Sequence, residues 1–313
     1  MKVLIAGAGG ALGRQLVPRL VARGHEVVGL TRREAKREAL HELGATPAVA
    51  DALDLRAVEE VVGEAGPDVI VHELTALSGS FDLRRFDRTF AATNRLRIEG
   101  TDNLLAAGRA VGVRRFVAQS YAGWPFARRG GPVKTEEDPL DPSPAGPMLA
   151  TLAAIRHLEE AVIGAEWTEG VVLRYGGFYG PGTGMAADGD QARLIRRRRF
   201  PVVGDGAGVW SFVHVADAAQ ATVAAVERGR RGIYNVVDDE PAAVADWLPA
   251  AAAALGAKPP RRVPLRVGRL LAGEAAAIMM TEVRGASNAK ARRELGWVPD
   301  HPSWREGFAE VAA

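Results

Sequence analysis

The sequence predicts an α/β fold in which a parallel β-sheet is covered by helices on both faces. Two observations predict it. Apolar runs of five or six residues alternate along the first 175 positions with stretches in which apolar residues recur at helical spacing. The chain of 313 residues is also long enough for one large domain or two lobes with a substantial core.

The elements can be placed in order along the chain. The first strand, 2–6 (KVLIA), runs into glycines and then into a helix over 11–23 with Leu12, Leu16 and Leu20 on one face. Three more strand and helix pairs follow, at 26–30 with 34–43, at 46–50 with 55–65, and at 68–72 with a longer helical stretch that ends near 107. Two further strands are predicted at 114–119 and 170–175.

The second half of the chain is less regular. Five prolines between 127 and 147 predict a long loop, and loops of this length usually serve function or are disordered. Beyond residue 240 the alternation fades into helical pieces around 247–255, 267–280 and 289–295. We expect these pieces to form a small carboxy-terminal lobe.

Composition excludes several classes of protein. There is no cysteine, which rules out disulfides, thiolate metal sites, iron–sulfur clusters and cysteine nucleophiles. A net charge of +2 is too small for a protein that binds nucleic acid or a membrane surface. No apolar run approaches the roughly 18 residues of a bilayer span, and the amino terminus lacks a signal-peptide core. The default expectation is a cytoplasmic protein that acts on a small-molecule substrate. The sequence leaves open whether the protein forms a homodimer.

A glycine-rich turn is the clearest binding motif. Gly7, Gly10 and Gly13 form G-x-x-G-x-x-G between the first strand and the first helix, where backbone amides at a helix start can hold a pyrophosphate. The strand before the motif, the helix after it and a second strand at the expected distance indicate a dinucleotide site.

The end of the second strand predicts which dinucleotide binds. A NAD site has an acidic residue there to bind the ribose hydroxyls, whereas this chain has Thr31, Arg32 and Arg33. Arginine binds a 2′-phosphate bidentately and a carboxylate would repel it, so we expect NADP in preference to NAD. The alternative is that both arginines only begin the next helix. Asp51, after the third strand, either meets the adenine or starts the following helix.

Nine segments carry a resemblance to a known family. In chain order they are GAGGALG (7–13), AVADALDL (48–55), PDVIVHELTAL (67–77), Asn94 with EGTDNLL (99–105), VRRFVAQS (113–120), VVLRYGGFYGPG (171–182), WSFVHVADAA (210–219), GIYNVVDDEP (232–241) and ASNAKARRELGW (286–297). With them the sequence resembles the extended short-chain dehydrogenase/reductase family, also called the NAD-dependent epimerase/dehydratase family. The segments follow family order over nearly the whole chain.

The resemblance implies a domain division and a set of cofactor contacts. A Rossmann domain that binds NAD(P) would comprise 1–180 and 205–235, and a substrate lobe would comprise 181–204 and 236–313. The implied cofactor residues are Gly7, Gly9, Gly10, Ala11, Leu12, Gly13, Thr31, Arg32, Arg33, Asp51, Ala52, Leu74, Thr75, Ala76, Asn94, Gln119, Tyr175, Gly176 and Phe178.

The catalytic positions depart from the family. Its members use a tyrosine four residues before a lysine, and the lysine lowers the pKa of the tyrosine and holds the nicotinamide ribose. No Y-x-x-x-K occurs in this chain. On the predicted helix 147–162, either Met148 and Leu152 or Leu152 and Arg156 take the two positions. We prefer the second alignment, because Glu160 then matches a family glutamate four residues beyond the lysine and Arg156 keeps a cation.

Another side chain can replace the missing phenol. Alignment puts Tyr121 at the family's serine or threonine that faces the nicotinamide, with Ser120 just before it. Without the lysine a phenol keeps a pKa near 10 and stays protonated at neutral pH, so it can donate a proton but is a poor base. This favours reduction over oxidation. The competing interpretation is that Tyr121 only packs under the 127–147 loop.

The remaining candidates have mainly structural interpretations. His72 is expected to be a satisfied interior histidine, and His214 to end a strand where Asp217 caps the next helix. Arg174 and Tyr175 end a strand, where open α/β sheets bind ligands. The basic run RLIRRRR (193–199) is a solvated helix face or meets a substrate anion. No histidine and carboxylate pair has ligand spacing, so no metal is predicted.

The leading hypothesis is an NADPH-dependent reductase of a carbonyl or an activated double bond in a small organic molecule. Tyr121 would donate the proton and Arg156 would orient the ribose. Two alternatives stay open. One is a non-catalytic NADP-binding sensor, and the other is a sugar-nucleotide epimerase or dehydratase with unconventional residues.

Overall fold

The computed structural model describes residues 1–77 and 82–312 and has a seven-stranded parallel sheet at its centre. The strands are β1 (Lys2–Ala6), β2 (Glu26–Thr31), β3 (Thr46–Val49), β4 (Val69–His72), β5 (Arg115–Tyr121), β6 (Val133–Lys134), β7 (Glu169–Tyr175), β8 (Gly177–Tyr179), β9 (Val202–Val203), β10 (Val209–Trp210), β11 (Phe212–His214), β12 (Gly232–Val236), β13 (Ala242–Ala243), β14 (Arg262–Val263) and β15 (Gly285–Ala286).

The helices alternate with the strands of the central sheet and dominate the carboxy-terminal third. They are α1 (Ala11–Ala22), α2 (Arg37–Glu42), α3 (Leu55–Ala65), α4 (Phe86–Arg95), α5 (Thr101–Ala110), α6 (Leu149–Gly164), α7 (Asp190–Arg196), α8 (Val215–Arg228), α9 (Val244–Ala254), α10 (Leu265–Ala272), α11 (Glu274–Thr281), α12 (Ala289–Leu295) and α13 (Trp304–Ala312). No helix of the described residues is long and apolar enough to cross a membrane.

The central sheet has the order β12-β7-β5-β4-β1-β2-β3, and every neighbouring pair is parallel. The predicted α/β class is therefore confirmed. The direction of winding reverses at β1, so the carboxyl ends of β1 and β4 flank a crevice. In open α/β sheets ligands bind at this point.

Both faces of the sheet are buried. Val3 and Ile5 pack with α1 and α8, whereas Leu4 and Ala6 pack against the layer that contains α3, α5 and α6. Successive side chains of a strand point to opposite faces. Burial of both faces therefore explains why the strands are continuous apolar runs rather than alternating ones.

Most predicted elements are present, with three local differences. The helix predicted at 34–43 begins as a 3₁₀ turn, Glu34–Lys36, before α2. The long stretch predicted to end near 107 is two helices joined by a π-helical turn, Leu96–Gly100. The piece predicted at 267–280 breaks into α10 and α11 at Gly273, whose φ of 89° is a conformation that favours glycine.

The segment 127–147 is irregular apart from β6 and a 3₁₀ turn, and it is tied to the end of the chain. Strand β6 pairs in parallel with β15, with Val133 opposite Gly285. Arg128 forms ion pairs with Asp141 at 3.0 Å and with Glu282 at 2.8 Å. The segment is thus bonded within itself and to residues 282–286 of the carboxy-terminal part. The division into a Rossmann domain and a substrate lobe stays a prediction.

Candidate cofactor and active site

The glycine turn fits a dinucleotide phosphate. A Cβ at Gly7 would lie 2.7 Å from the Glu73 carbonyl oxygen, and one at Gly13 would lie 2.3 Å from that of Ala8, so close packing requires both glycines. Helix α1 begins after Gly10 without a side-chain cap. Its first backbone N–H groups therefore have no partner within the helix, which is the arrangement that binds phosphate.

Two other glycines of the turn are not required by the packing of the protein itself. A Cβ at Gly9 would meet nothing within 4 Å, and one at Gly10 would meet only the Gly7 carbonyl oxygen at 3.2 Å. The space above Gly10, beside the free amides of Ala11 and Leu12, is thus available to a ligand. The residues present fit a nicotinamide dinucleotide.

The end of β2 presents cations. Arg32 and Arg33 are exposed, and neither has an ion pair within the described part of the chain. Arg33 N–H donates to Thr31 Oγ1 at 3.2 Å. Asp51, beyond β3, is also exposed and accepts from Leu53 N–H, while Asp54 is the residue that caps α3. The helix-start alternative for Asp51 is therefore wrong.

The segment after β4 is held by its neighbours. His72 is 1% exposed, and its ring contacts Thr101 Oγ1 at 3.0 Å and accepts from Leu74 N–H at 3.3 Å, so the interior role predicted for it is confirmed. Burial lowers the pKa of His72 to about 4. Ala76 N–H donates to Thr93 Oγ1 at 3.0 Å. Thr75, the residue before it, is exposed.

The ends of β5 and β7 meet α6 in a buried polar network. Glu159 accepts from Ser120 Oγ at 2.6 Å and from Arg174 Nε and Nη2 at 2.7 and 2.6 Å. Glu160, which guided the preferred alignment, is exposed instead. With the same four-residue spacing counted from Glu159, the lysine position becomes Ile155 and the tyrosine position Thr151.

An apolar cluster fills the space around these positions. We define it by eight buried residues: Phe86, Trp124, Met148, Leu152, Ile155, Ala275, Ile278 and Val283. Tyr121 packs against this cluster, as does Leu140 from the 127–147 segment. Arg156 points elsewhere, because its Nη2 donates to the Asp141 carbonyl oxygen. Within the described residues the α6 side of the site therefore presents no cation to Tyr121.

The Tyr121 hydroxyl has no hydrogen-bond partner among the described residues. Burial raises the pKa of Tyr121 to about 12. Such a phenol keeps its proton across the physiological range and is not a base. Tyr121 shares the apolar cluster with Leu140 of the 127–147 segment, and its hydroxyl is free to donate. A packing role and a role as proton donor are therefore compatible.

Two residues predicted to contact the cofactor, Tyr175 and Gly176, already make close contacts with other parts of the protein. Tyr175 is 1% exposed, and its hydroxyl lies 2.7 Å from Thr222 Oγ1 and donates to Glu73 Oε1 at 3.2 Å. A Cβ at Gly176 would lie 2.8 Å from the Ser211 carbonyl oxygen, so packing against Ser211 already accounts for that glycine. Gln119 and Phe178 are partly exposed at the ends of β5 and β8. These four contacts stay predictions.

Two buried charged residues at the crevice escaped sequence reasoning. Glu73 follows β4 and is 6% exposed, and desolvation raises its pKa to about 8. Arg97 lies on the π-helical turn and is 8% exposed. Glu73 lies within the matched segment 67–77, whereas Arg97 falls between the matched Asn94 and the segment 99–105; in both places a charged residue inside an apolar or helical pattern was the available signal.

The polar residues at the start of α8 have a structural role. His214 caps the helix by accepting from Ala216 N–H at 3.3 Å, so the prediction that Asp217 is the cap is wrong. Asp217 accepts from His301 N–H at 2.9 Å and lies 3.0 Å from its Nδ1. One nitrogen or carboxylate oxygen from each of His214, Asp217 and His301 lies within 4.8 Å of the others. Sequence spacing did not reveal this grouping of two histidines and a carboxylate. The His214 and His301 rings stack with centroids 3.8 Å apart.

Comparison with known proteins gives consistent similarities. The model of the NAD dependent epimerase/dehydratase family matches residues 3–237. A 3-diazoavenalumate denitrifying reductase of Streptomyces sp is 47% identical over 311 residues, which cover 98% of this chain and 99% of that protein. A 4-hydroxy-2-methyl-3-oxo-4-farnesyl-3,4-dihydroquinoline-1-oxide ketoreductase of Stigmatella aurantiaca is 32% identical over 257 residues, covering 79% and 71%. The UDP-glucose 4-epimerase of Thermus thermophilus in complex with NAD superimposes with a TM-score of 0.76 at 27% identity, over 100% of this chain and 98% of that one.

Proposed function

The chain belongs to the NAD-dependent epimerase/dehydratase family, and we propose that within it the protein is an NADPH-dependent reductase that removes N2 from an aryl diazonium ion. It is a nicotinamide-dependent oxidoreductase. The observation that carries the proposal is the 47% identity, over nearly the whole length of both chains, to a 3-diazoavenalumate denitrifying reductase, and the apolar cluster beside α6 supports it. Counted back from Glu159, the positions of the family's acid–base pair fall on Thr151 and Ile155, and Ile155 is packed in the apolar cluster.

The preference for NADPH rests on the end of β2. Arg32 and Arg33 are exposed and unpaired within the described residues, and no acidic side chain stands at that strand end. The turn at Gly10 and the first amides of α1 would hold the diphosphate. When bound, the cofactor supplies a hydride to the substrate.

Loss of N2 from a diazonium ion needs a hydride but no proton. A diazonium carbon gains the hydride as its new C–H bond while the electron pair of the C–N bond leaves with N2, so R–N2⁺ and hydride give R–H and N2. No oxyanion forms, and no acid or base is required. Carbonyl reduction instead places charge on an oxygen that must be protonated. A site without the tyrosine and lysine pair therefore suits the first reaction.

The residues around the crevice suit a flat, unsaturated substrate. Phe86 and Trp124 meet edge to face with centroids 5.2 Å apart, and Tyr121 packs on the same cluster. Aromatic side chains favour offset or edge contacts with other π systems. The cluster and the overlying 127–147 segment would also exclude water from the reacting carbon.

A second candidate is the reduction of a carbonyl or an activated double bond, with Tyr121 as proton donor. The free Tyr121 hydroxyl favours it, and one of the similar proteins is named a ketoreductase. Oxidation of a sugar hydroxyl, as an epimerase requires, is disfavoured because burial holds the pKa of Tyr121 at about 12, and no cation of α6 faces Tyr121.

The test uses purified protein, NADPH and a panel of aryl diazonium salts, ketones and enones. NADPH oxidation is followed by absorbance, and deuterated NADPH shows by mass spectrometry which carbon receives the hydride. We expect turnover of a diazonium salt with deuterium on the carbon that carried nitrogen. A reaction without protein controls for direct reduction. Turnover of ketones or enones alone would favour the second candidate, and NADPH binding without any turnover would favour a sensor.

A further inference from the structure

Two buried polar side chains at the junction of α4 and α5 each leave one polar atom without a hydrogen-bond partner among the described residues. Asn94, near the end of α4, and Arg97, on the π-helical turn, are each 8% exposed. They are three residues apart along the chain, and both are turned toward the protein interior. A π-helical turn inside an α-helix often marks a functional site.

The Asn94 side chain has a defined orientation. Thr151 Oγ1 donates its proton to Asp87 Oδ1 at 2.7 Å, so it must accept from Asn94 Nδ2 at 3.0 Å. The amide oxygen, Asn94 Oδ1, then faces the other way and has no hydrogen-bond partner. Asn94 thus presents a free acceptor.

Arg97 presents a free donor. Its Nη1 is buried without a partner, and no ion pair joins Arg97 to the described residues. Desolvation lowers its pKa to about 10, opposed only by the charge of Glu159. Both carboxylate oxygens of Glu159 are already occupied by Arg174 and Ser120. An unmatched buried guanidinium is costly unless a ligand completes its hydrogen bonds.

The two side chains lie at the ligand-binding edge of the sheet. His72, at the end of β4, lies 3.0 Å from Oγ1 of Thr101, the residue that follows the π-helical turn, and Asn94 donates to Thr151 near the start of α6. At the matched lysine position on α6 stands Ile155, which is 1% exposed and surrounded by apolar side chains. The cation absent from α6 is therefore available from the opposite helix.

We propose that Asn94 and Arg97 together bind the hydroxyl groups of the nicotinamide ribose, with Arg97 supplying the cation that α6 lacks. A vicinal diol can donate to Asn94 Oδ1 and accept from Arg97, which completes both orphan atoms. An anionic group would satisfy Arg97 but would be repelled by the Asn94 oxygen. The inference rests on the proposed function only in that the cofactor is a nicotinamide dinucleotide.

Binding of the two halves of the cofactor tests the assignment without turnover. Reduced nicotinamide mononucleotide and adenosine 2′,5′-bisphosphate are titrated separately into the protein by calorimetry. Arg97→Met should weaken the nicotinamide half about 10- to 150-fold, the range of a hydrogen bond to a charged group, and leave the adenosine half unchanged. Arg97→Lys should recover most of the loss. Arg95→Met, at the end of α4, where the side chain is exposed and paired with Glu99, is the matched control.

Two results would overturn the assignment. Unchanged affinity for the nicotinamide half in Arg97→Met, with only a raised KM for substrate, would place Arg97 against the substrate. Loss of nicotinamide-half affinity in Arg156→Leu but not in Arg97→Met would mean that Arg156 on α6, and not Arg97, binds the ribose. If Arg97→Met does not fold, Asn94→Ala replaces it and should weaken the same half. Failure of the diazo proposal would leave all these binding results unaffected.

Discussion

Arg174 and Glu159 form a buried bidentate ion pair, with Nε and Nη2 of the arginine 2.7 and 2.6 Å from the two carboxylate oxygens. The pair joins β7 to α6, and Ser120 adds a third bond from β5. Because both oxygens of Glu159 are used inside this network, the residue is not available as a base toward a substrate. The network positions α6 against the ends of the strands.

Removal of Glu159 is therefore expected to destabilise the fold. Glu159→Ala leaves Arg174 buried and unpaired, which costs about 3–5 kcal/mol. Glu160→Ala, one position along and exposed, should change the free energy of unfolding by less than about 0.5 kcal/mol. Urea unfolding followed by circular dichroism measures both. Similar small losses in the two variants would contradict the ion-pair assignment.

Arg32 is expected to select NADPH over NADH. Arg32→Ala should remove most of the difference between the two dissociation constants, because a charge-assisted contact to the 2′-phosphate contributes roughly 1.5–3 kcal/mol, about 10- to 150-fold. Nicotinamide fluorescence titration gives both constants. Arg37→Ala, also exposed, is the control and should keep the preference. Equal affinities of the unaltered protein for the two cofactors would refute the prediction.

Gly10→Val is expected to abolish cofactor binding while the protein stays folded. The added side chain would fill the space above the turn, and its Cβ meets only the Gly7 carbonyl oxygen at 3.2 Å. Gly63→Val, at an exposed position of α3 where an added Cβ meets nothing within 4 Å, is the control and should keep the affinity. Circular dichroism and NADPH titration are measured on both. Normal NADPH binding by a folded Gly10→Val protein would place the phosphate site elsewhere.

Tyr121→Phe separates the two candidate reactions. The change removes only the hydroxyl, so NADPH affinity and the reduction of a diazonium salt should change less than about threefold. Turnover of a ketone should fall about 100- to 10,000-fold if Tyr121 is its general acid. Tyr234→Phe, whose hydroxyl donates to the Arg230 carbonyl oxygen, is the matched control. A comparable loss with the diazonium salt would mean that proton donation is part of that reaction too.

Glu73 is expected to make stability fall as pH rises. Burial raises its pKa from 4.5 to about 8, so between these values the folded protein holds a proton that the unfolded chain has released. The stabilisation is complete below pH 4.5 and is lost as pH rises through 8, at up to about 1.4 kcal/mol per pH unit. Glu73→Gln removes this slope.

The measurement is a comparison of urea unfolding for the unaltered protein and Glu73→Gln at pH 5, 7 and 9. The stability of the variant relative to the unaltered protein should increase with pH. Both proteins contain the other buried groups, such as Asp238, whose pKa is also raised to about 8. The contributions of these groups to the pH dependence therefore cancel in the difference. A constant difference between the two proteins would show that Glu73 has an ordinary pKa.

Local sequence patterns predicted the elements that depend on local interactions. The bounds of α3, from Leu55 to Ala65, agree with the prediction, and a capping aspartate and a glycine with positive φ terminate it. The glycine turn was predictable for the same reason, since Gly7 and Gly13 are dictated by contacts between adjacent elements.

The buried charges were not predictable in this way. Glu73 and Arg97 depend on which segments pack above them, and propensity assigns both to the surface. The choice between Glu159 and Glu160 turns on a rotation of one residue about α6. The face formed by Leu152, Ile155 and Val162 contains Glu159, so helical periodicity held the information that the family spacing obscured.

The pairing of β6 with β15 has a consequence for the order in which the protein matures during synthesis. Val133 pairs with Gly285, so the 127–147 segment cannot take its final position near Tyr121 until nearly the whole chain has left the ribosome. Contacts between such distant positions form slowly, since a long loop has to close first. The phosphate turn, by contrast, is supported by β1, α1, β4 and α8, all of which precede residue 229. A nascent or truncated chain is thus expected to acquire the capacity to hold cofactor before it can shield the reacting carbon from water.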